Sequence, residues 1–386
     1  MAATISLPRS LSIGGGALGE LPEMLRRIGV TRPLVVTDPC MRDCGLLARL
    51  IELLDQAGVP SQVFADTVPD PTSAVVEVGA TMLTAGGFDG LVALGGGSPI
   101  DTAKAMAILA ANGGRIRDYK VPNPIPLPGL PLLAIATTAG TGSEVTKFTV
   151  ITDVETDEKM LIAGPDVTPI AAIIDFELTL TAPLRLTADT GIDALTHAIE
   201  AYVSRKANPF SDGMALQAMR AIAQNLRSAC AQPQNRTARE AMMLAATQAG
   251  MAFSNASVAL VHGMSRPIGA FFHVPHGLSN AMLLPEITAF SIPSAVARYA
   301  DCARAMGLAA AGEGDQAAAA LLVEGLRQLN LDLDVPSPAR YGIARERFFE
   351  LMPVMARQAL ASGSPGNNPR IPTVEDIIDL YARCYD

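Results

Sequence analysis

Short uninterrupted runs of aliphatic residues recur through the first half of this 386-residue chain and stop before the second. They are PLVVTD at 33–38, QVFAD at 62–66, GLVAL at 90–94, LLAIATT at 132–138 and AAIIDF at 171–176. Between them lie segments of helical spacing such as LLARLIELLDQAG at 46–58. Strands without polar alternation belong in a parallel sheet that helices cover on both faces. After about residue 183 the β-branched runs give way to Ala/Leu/Met stretches of strong helix formers, among them MALQAMRAIAQNL and QAAAALLVEGLRQL. The pattern predicts a Rossmann-like α/β domain over 1–183 and an all-α domain over 184–386, joined near TLTAPLRLT.

Half of the residues are apolar and 17% are charged, which supplies material for the two cores that the length suggests. Five scattered cysteines with no C-x-x-C pair argue against a disulfide framework or a zinc ribbon and suit a reducing cytosol. The opening residues lack the basic start and apolar run of a secretory signal, and no stretch of about 18 apolar residues occurs. A cytoplasmic protein without a membrane partner is the expectation. A net charge of −9, no basic tract and no Trp leave nothing to hold a nucleic acid.

Two turns follow aliphatic runs. In LVALGGGSPID, Gly95, Gly96 and Gly97 let a ligand approach the backbone, and the helix that follows offers free N–H groups to a diphosphate. Ser98 and Asp101, with Pro99 at the first helical position, also read as a capping box, a compatible structural role. The second turn, TTAGTGSE, carries hydroxyls at Thr137, Thr138, Thr141 and Ser143. Ligands bind at the carboxyl ends of parallel strands, so the pair is stronger than either turn alone. Asp38 ends PLVVTD where a carboxylate accepts from an adenosine ribose, although such an aspartate is more often a helix cap.

All four histidines, His197, His262, His273 and His276, fall within one eighty-residue window, and Asp193 lies one helical turn before the first. In GIDALTHAIEAYV, Ile192, Leu195, Ile199 and Tyr202 form one packed face, and Asp193 and His197 project from nearly the opposite side toward an expected cavity. The spacing is equally that of an i, i+4 ion pair. His262 is placed on a helix and His276 on a rigid turn between Pro275 and Gly277, which completes three imidazoles and one carboxylate around an ion and leaves His273 spare.

The stretches GGGSPIDTAK, TTAGTGSEVT, GIDALTHAIEAYVS and VHGMSRPIGAFFHVPHG, with FADTVPDPT and NNPRIPTVEDIIDLY toward the ends, resemble the iron-containing alcohol dehydrogenase family, close to its lactaldehyde-reductase-like branch. The resemblance spans nearly the whole chain. It implies the dehydroquinate synthase-like fold with an active site between the two domains. It also implies ferrous iron, with zinc as the alternative, on Asp193, His197, His262 and His276. Contacts to NAD are implied for Asp38, Asp70, Gly96, Gly97, Ser98, Asp101, Thr138, Thr141, Lys159 and Leu178. Phe148 and Phe253 fall where the family lines its substrate pocket, though as isolated aromatics each is equally ordinary core.

Catalysis is expected around His276. Arg266 stands where many relatives carry a further histidine, and His273 is the candidate to replace it in proton transfer. Phe176 replaces a proline frequent after the last sheet strand. The implied activity is NAD-dependent oxidation of a small primary alcohol or diol, or reduction of an aldehyde, in a homodimer or larger assembly. Alternatives are a maleylacetate-reductase or glycerol-dehydrogenase type, a lyase of the dehydroquinate-synthase type, or a non-catalytic metal- or nucleotide-binding protein.

Overall fold

A computed structural model describes residues 2–386. The chain divides into two compact units, one over Ile5–Thr181 and one over Ala182–Asp386.

The first unit is built on a six-stranded, all-parallel sheet of order β1-β8-β5-β4-β2-β3. Its strands are β1 (Ser10–Ile13), β2 (Pro33–Val36), β3 (Gln62–Phe64), β4 (Gly90–Gly95), β5 (Leu132–Ala136) and β8 (Ala171–Ile174). Every residue of β2, β4, β5 and β8 is buried, as aliphatic runs between two helical layers require. The two edges, β1 and β3, are shorter of apolar content and partly exposed. Helices α1 (Leu21–Ile28), α2 (Pro39–Asp43), α3 (Leu46–Gln56), α4 (Ser73–Ala85) and α5 (Gly97–Asn112) make the connections.

Two elements were not legible as strands in the sequence. Ser10–Ile13 alternates polar and apolar residues on an edge, and β6 (Phe148–Asp153) with β7 (Glu158–Ala163) forms a separate antiparallel hairpin. The hairpin's β6 alternates strictly between buried and half-buried residues, the period of a sheet covered on one face.

From β2 the chain passes to β3 on one side and then returns to β4 on the other, so the topology switches between β2 and β4. Ligands of open α/β sheets bind outside the carboxyl ends at such a point. There the Thr37 hydroxyl donates to the Leu94 carbonyl at 2.8 Å and joins the two strand ends. The glycine triplet follows directly. Gly95 has φ +150°, and an added Cβ would lie 2.5 Å from Pro99 Cγ. A Cβ on Gly96 would meet the Thr138 side chain at 3.3 Å, and one on Gly97 would meet Thr141 Cγ2 at 3.1 Å. The two glycine turns therefore pack into each other.

The expected capping box is not formed. Gly96 is the N-cap of α5 and makes no side-chain cap, so Ser98 and Pro99 lie inside the first turn. Asp101 instead turns to the hairpin, where its Oδ2 accepts from Val150 N–H at 2.9 Å. One turn on, the buried Lys104 donates to the carbonyls of Thr146 and Phe148 at 2.9 and 2.8 Å and to Thr146 Oγ1 at 3.1 Å. Asp101 and Lys104 thus clamp α5 to the start of β6.

The second unit is helical: α6 (Leu184–Val203), α7 (Pro209–Ala231), α8 (Arg236–Ala256), α9 (Leu260–Phe272), α10 (His276–Ser291), α11 (Val296–Ala305), α12 (Asp315–Asp332), α13 (Pro338–Tyr341), α14 (Arg345–Ala361) and α15 (Val374–Cys384). Helix α6 packs against α7, α8 and α10, and every residue from Gly191 to Val203 is buried. Its polar side is covered as fully as its apolar side. Among the described residues no single helix is long and apolar enough to cross a membrane.

Burial pulls the Lys104 ammonium down to about 8, against the opposing pull of Asp101 and Glu144. The folded value lies below that of the unfolded chain, so below pH 8 the charge is present in both states and its burial cost is felt in full. Between pH 8 and about 10.4 the folded state sheds the proton first, and stability rises with pH. Lys104→Met strands Asp101 without its cation and is expected to lose about 3–5 kcal/mol at pH 7. In urea denaturation the wild-type advantage over this variant grows from pH 8 to 10; a constant or shrinking advantage contradicts the assignment.

Candidate functional site

Asp193, His197 and Glu200 stand at i, i+4 and i+7 of α6, one stripe of its buried length. The sequence places the remaining ligands on two helices that converge on that stripe. His262 comes from the first turn of α9. His276 is the first residue of α10, with Pro275 as its N-cap, so it opens a helix instead of sitting on a turn. The close approach of α10 to α6 explains Gly277, where an added Cβ would lie 2.4 Å from the Asp189 carbonyl oxygen.

The three helices bring imidazole nitrogens around one carboxylate oxygen. Asp193 Oδ1 is 3.5 Å from His262 Nε2, 3.8 Å from His276 Nε2 and 4.0 Å from His197 Nε2. Asp193, His262 and His276 offer one ligand atom each within a 4.8 Å group suited to a metal ion. His197 stacks on His262 with ring centroids 4.4 Å apart and on Phe253 at 4.1 Å and 14°. Phe253 is therefore the wall behind the His197 ring. Asp193, His197 and His262 are buried, whereas the His276 side chain is 43% exposed and marks the open side.

Glu200, which sequence reasoning did not single out, sets the orientation of His262. Its Oε2 lies 2.6 Å from His262 Nδ1 and accepts from Ala259 N–H, while Oε1 accepts from Val261 N–H. A buried carboxylate on Nδ1 fixes the proton there and leaves the Nε2 lone pair facing Asp193, the usual outer partner of a metal-binding imidazole. Burial works against the charged form of His262, yet Glu200 and Asp193 together raise the pKa of its imidazole to about 9. In Asp193 burial is likewise outweighed, by His197, His276 and His262, and the carboxyl is held well below its ordinary range. A buried anion ringed by neutral-capable nitrogen donors, one carboxylate oxygen and three imidazoles, fits a divalent first-row ion.

The other expected catalytic residues lie around this group. Arg266, one turn after His262, is half-buried and donates to Ser364 Oγ at 3.1 Å. Burial lowers its guanidinium from the ordinary value, and Glu200 opposes that shift. His273 is the exposed C-cap of α9 with φ +54°. Asn280, also unanticipated, points its amide into the ligand group from α10. Both missed residues lie at helical spacing from a ligand, Glu200 three after His197 and Asn280 four after His276. That spacing is the one signal that singles them out.

In the first unit the expected cofactor residues divide. Gly96, Gly97, Thr138 and Thr141 form the interlocked turns, with Ser98 in the first turn of α5. Asp38 is the N-cap of α2 and accepts from Met41 N–H at 3.0 Å. Asp70, at φ +52°, pairs with Lys159 at 2.8 Å, so two of the expected contacts hold each other. The Leu178 side chain belongs to the hydrophobic core, which leaves only its backbone for a ligand. Phe148 opens β6 and spends its carbonyl on Lys104. Phe176 is buried, and its ring fills the space beside Gly15 that a Cβ there would need.

Comparison with known proteins decides what this arrangement belongs to. The model of the iron-containing alcohol dehydrogenase matches residues 8–176, and that of the Fe-containing alcohol dehydrogenase family, C-terminal, matches residues 187–385. The chain belongs to the iron-containing alcohol dehydrogenase family. It is 39% identical over 375 residues to an NAD-dependent methanol dehydrogenase of Bacillus methanolicus, covering 97% of each chain. It is 39% identical over 384 residues to a lactaldehyde reductase of Escherichia coli (strain K12), covering 99% of each. A crystal structure of a 1,3-propanediol oxidoreductase superposes with a TM-score of 0.96 at 34% identity, over 100% of both chains. As a member of this family the protein is an oxidoreductase acting on the CH–OH group of small alcohols or on the corresponding aldehydes.

Glu200→Gln keeps the size of the side chain and removes the charge on His262 Nδ1. Metal affinity is expected to fall about 10–100-fold, the usual cost of losing such an outer partner. Competition with a chromogenic chelator measures it; unchanged affinity removes Glu200 from the centre.

Proposed function

We propose that this enzyme is an NAD-dependent, iron-dependent alcohol dehydrogenase and aldehyde reductase that passes a hydride between a small primary alcohol or diol and the nicotinamide. The observation that carries the reading is the buried Asp193 carboxylate with three imidazoles directed at it. Asp193, His197, His262 and His276 are the proposed ligands. Ferrous iron, with zinc as its substitute, supplies Lewis acidity that polarises the substrate oxygen.

The residues have separable tasks. Asp193 provides the fixed negative charge, and Glu200 holds His262 in the ligating tautomer. Phe253, stacked on His197, keeps that ring in one plane and excludes water from its back. His276 faces the open side, where a substrate has access. In the first unit the amides after Gly96 and Gly97 and the hydroxyls of Thr138 and Thr141 are the proposed diphosphate cradle, and Asp38 the ribose acceptor. The names of the methanol dehydrogenase and the lactaldehyde reductase support NAD and a substrate of one to three carbons.

The test is a panel of short alcohols, diols and aldehydes read by NADH absorbance after anaerobic loading with ferrous iron or zinc. Asp193→Asn is expected to lower kcat/KM about a thousandfold, the several kcal/mol that a Lewis acid contributes. Full metal occupancy with no turnover on any member of the panel refutes the reading. Asp38→Gly is expected to raise the NADP-to-NAD ratio of kcat/KM about tenfold by removing a like-charge repulsion. Glycine is itself an acceptable N-cap, so α2 survives the change; an unaltered ratio takes Asp38 out of the ribose site.

A further inference from the structure

Asn280 lies on α10 one turn after His276, and no part of it reaches solvent. Its Nδ2 is 2.7 Å from Asp193 Oδ1, 3.1 Å from His262 Nε2 and 3.3 Å from His276 Nε2. Its Oδ1 is equally buried and has no hydrogen-bond partner. A primary amide offers two N–H donors and a carbonyl with two lone pairs. Here both donors are spent among the ligand atoms, while the carbonyl is left unanswered. An asparagine placed for packing or for core polarity alone would satisfy both ends, because an unpaired buried carbonyl is costly.

We infer that Asn280 is a positioning residue of the metal centre, whose amide N–H fixes Asp193 Oδ1 from α10 and sets the carboxylate's free lone pairs toward the three imidazoles. The inference rests on the metal reading above. Helix α10 then supplies both a ligand, His276, and the clamp on a ligand of α6. Glu200 does the corresponding work for His262, so each of two ligands is held by a polar side chain four or more residues from the ligand it serves. The unanswered carbonyl is what the protein gives up for that clamp.

The inference predicts an unusual separation of effects. Asn280→Leu keeps the volume, removes the N–H donors and also removes the unpaired carbonyl. Chelator-stripped, full-length protein is titrated anaerobically with Co2+ as the probe ion. Affinity is read by competition with a chromogenic chelator, and the ligand field by the visible spectrum. The variant is expected to bind Co2+ about 10–100-fold more weakly than wild type, with altered visible bands. Its metal-free melting temperature is expected to equal or exceed that of wild type. Affinity within twofold of wild type, or a fall in metal-free stability with affinity intact, overturns the inference. Asn280→Ala, which cannot clash, is read by the same two measurements should the leucine variant fail to fold. Asp193→Ala is the control for the parent reading: if wild type takes up Co2+ no better than this variant, the metal site itself falls and the role of Asn280 with it. If only the Asn280 variants match wild type, the metal reading stands and the positioning role fails.

Discussion

A carboxylate buried in the middle of a helix that is itself buried on every side is the constraint around which the helical unit is arranged. Asp193 cannot be solvated where it stands, and an uncompensated charge there would be prohibitive. The surrounding chain answers it with nitrogen. His197 comes from the same helix, His262 from α9 and His276 from α10. Each of these helices needs a local device to come so close. Gly277 lets α10 touch the backbone of α6, and Gly263 leaves room for Pro365, where an added Cβ would lie 2.7 Å from its Cγ. Glu200 closes the arrangement by accepting the first free N–H groups of α9 together with His262 Nδ1. One carboxylate thereby caps a helix and selects a tautomer.

The first unit solves a different problem with the same economy of residues. Its two glycine turns are not merely open backbone awaiting a ligand, because each glycine removes a specific clash: with Pro99, with Thr138 and with Thr141. The turns must interlock for the ends of β4 and β5 to lie side by side. Only then do the Thr138 and Thr141 hydroxyls and the first amides of α5 face one place. The packing requirement and the ligand requirement select the same residues, so neither can be inferred from the glycines alone. Asp101 and Lys104, from the same motif, are spent on holding α5 to the hairpin.

This difference explains what could be read from the residues in advance. The five aliphatic runs and the switch to helical composition were legible because burial restricts residue type strongly, and the candidate ligands Asp193, His262 and His276 because metal chemistry does. Glu200 and Asn280 were not, since a Glu three residues or an Asn four residues from a neighbour on a helix ordinarily means a solvated face. Only tertiary convergence distinguishes a buried Glu200 from a surface one. The start of α5 was displaced by two residues because Ser98, Pro99 and Asp101 match a capping pattern that loses here to the interlocking of Gly96 with Thr138. Leu178 is an implied NAD contact whose side chain is core, a distinction of backbone from side chain that no motif records.

The family resemblance implies a histidine where this chain has Arg266, and the surroundings of Arg266 bear on what a guanidinium does there. Two buried carboxylates, Asp193 and Glu200, share this region with a single guanidinium, and Arg266 is close enough to Glu200 to feel its charge. With neutral imidazoles that group keeps one negative charge in excess, which suits the uptake of a cation. A histidine at 266 would be a proton carrier near neutral pH, whereas a guanidinium stays charged and passes no proton. On the proposed function, proton exchange would reach solvent by another path. His276 is the one ligand whose side chain is open to it, and His273 is exposed three residues before. In that reading Arg266 is a permanent countercharge beside Glu200, and the proposed route of proton exchange lies on the solvent side at α10.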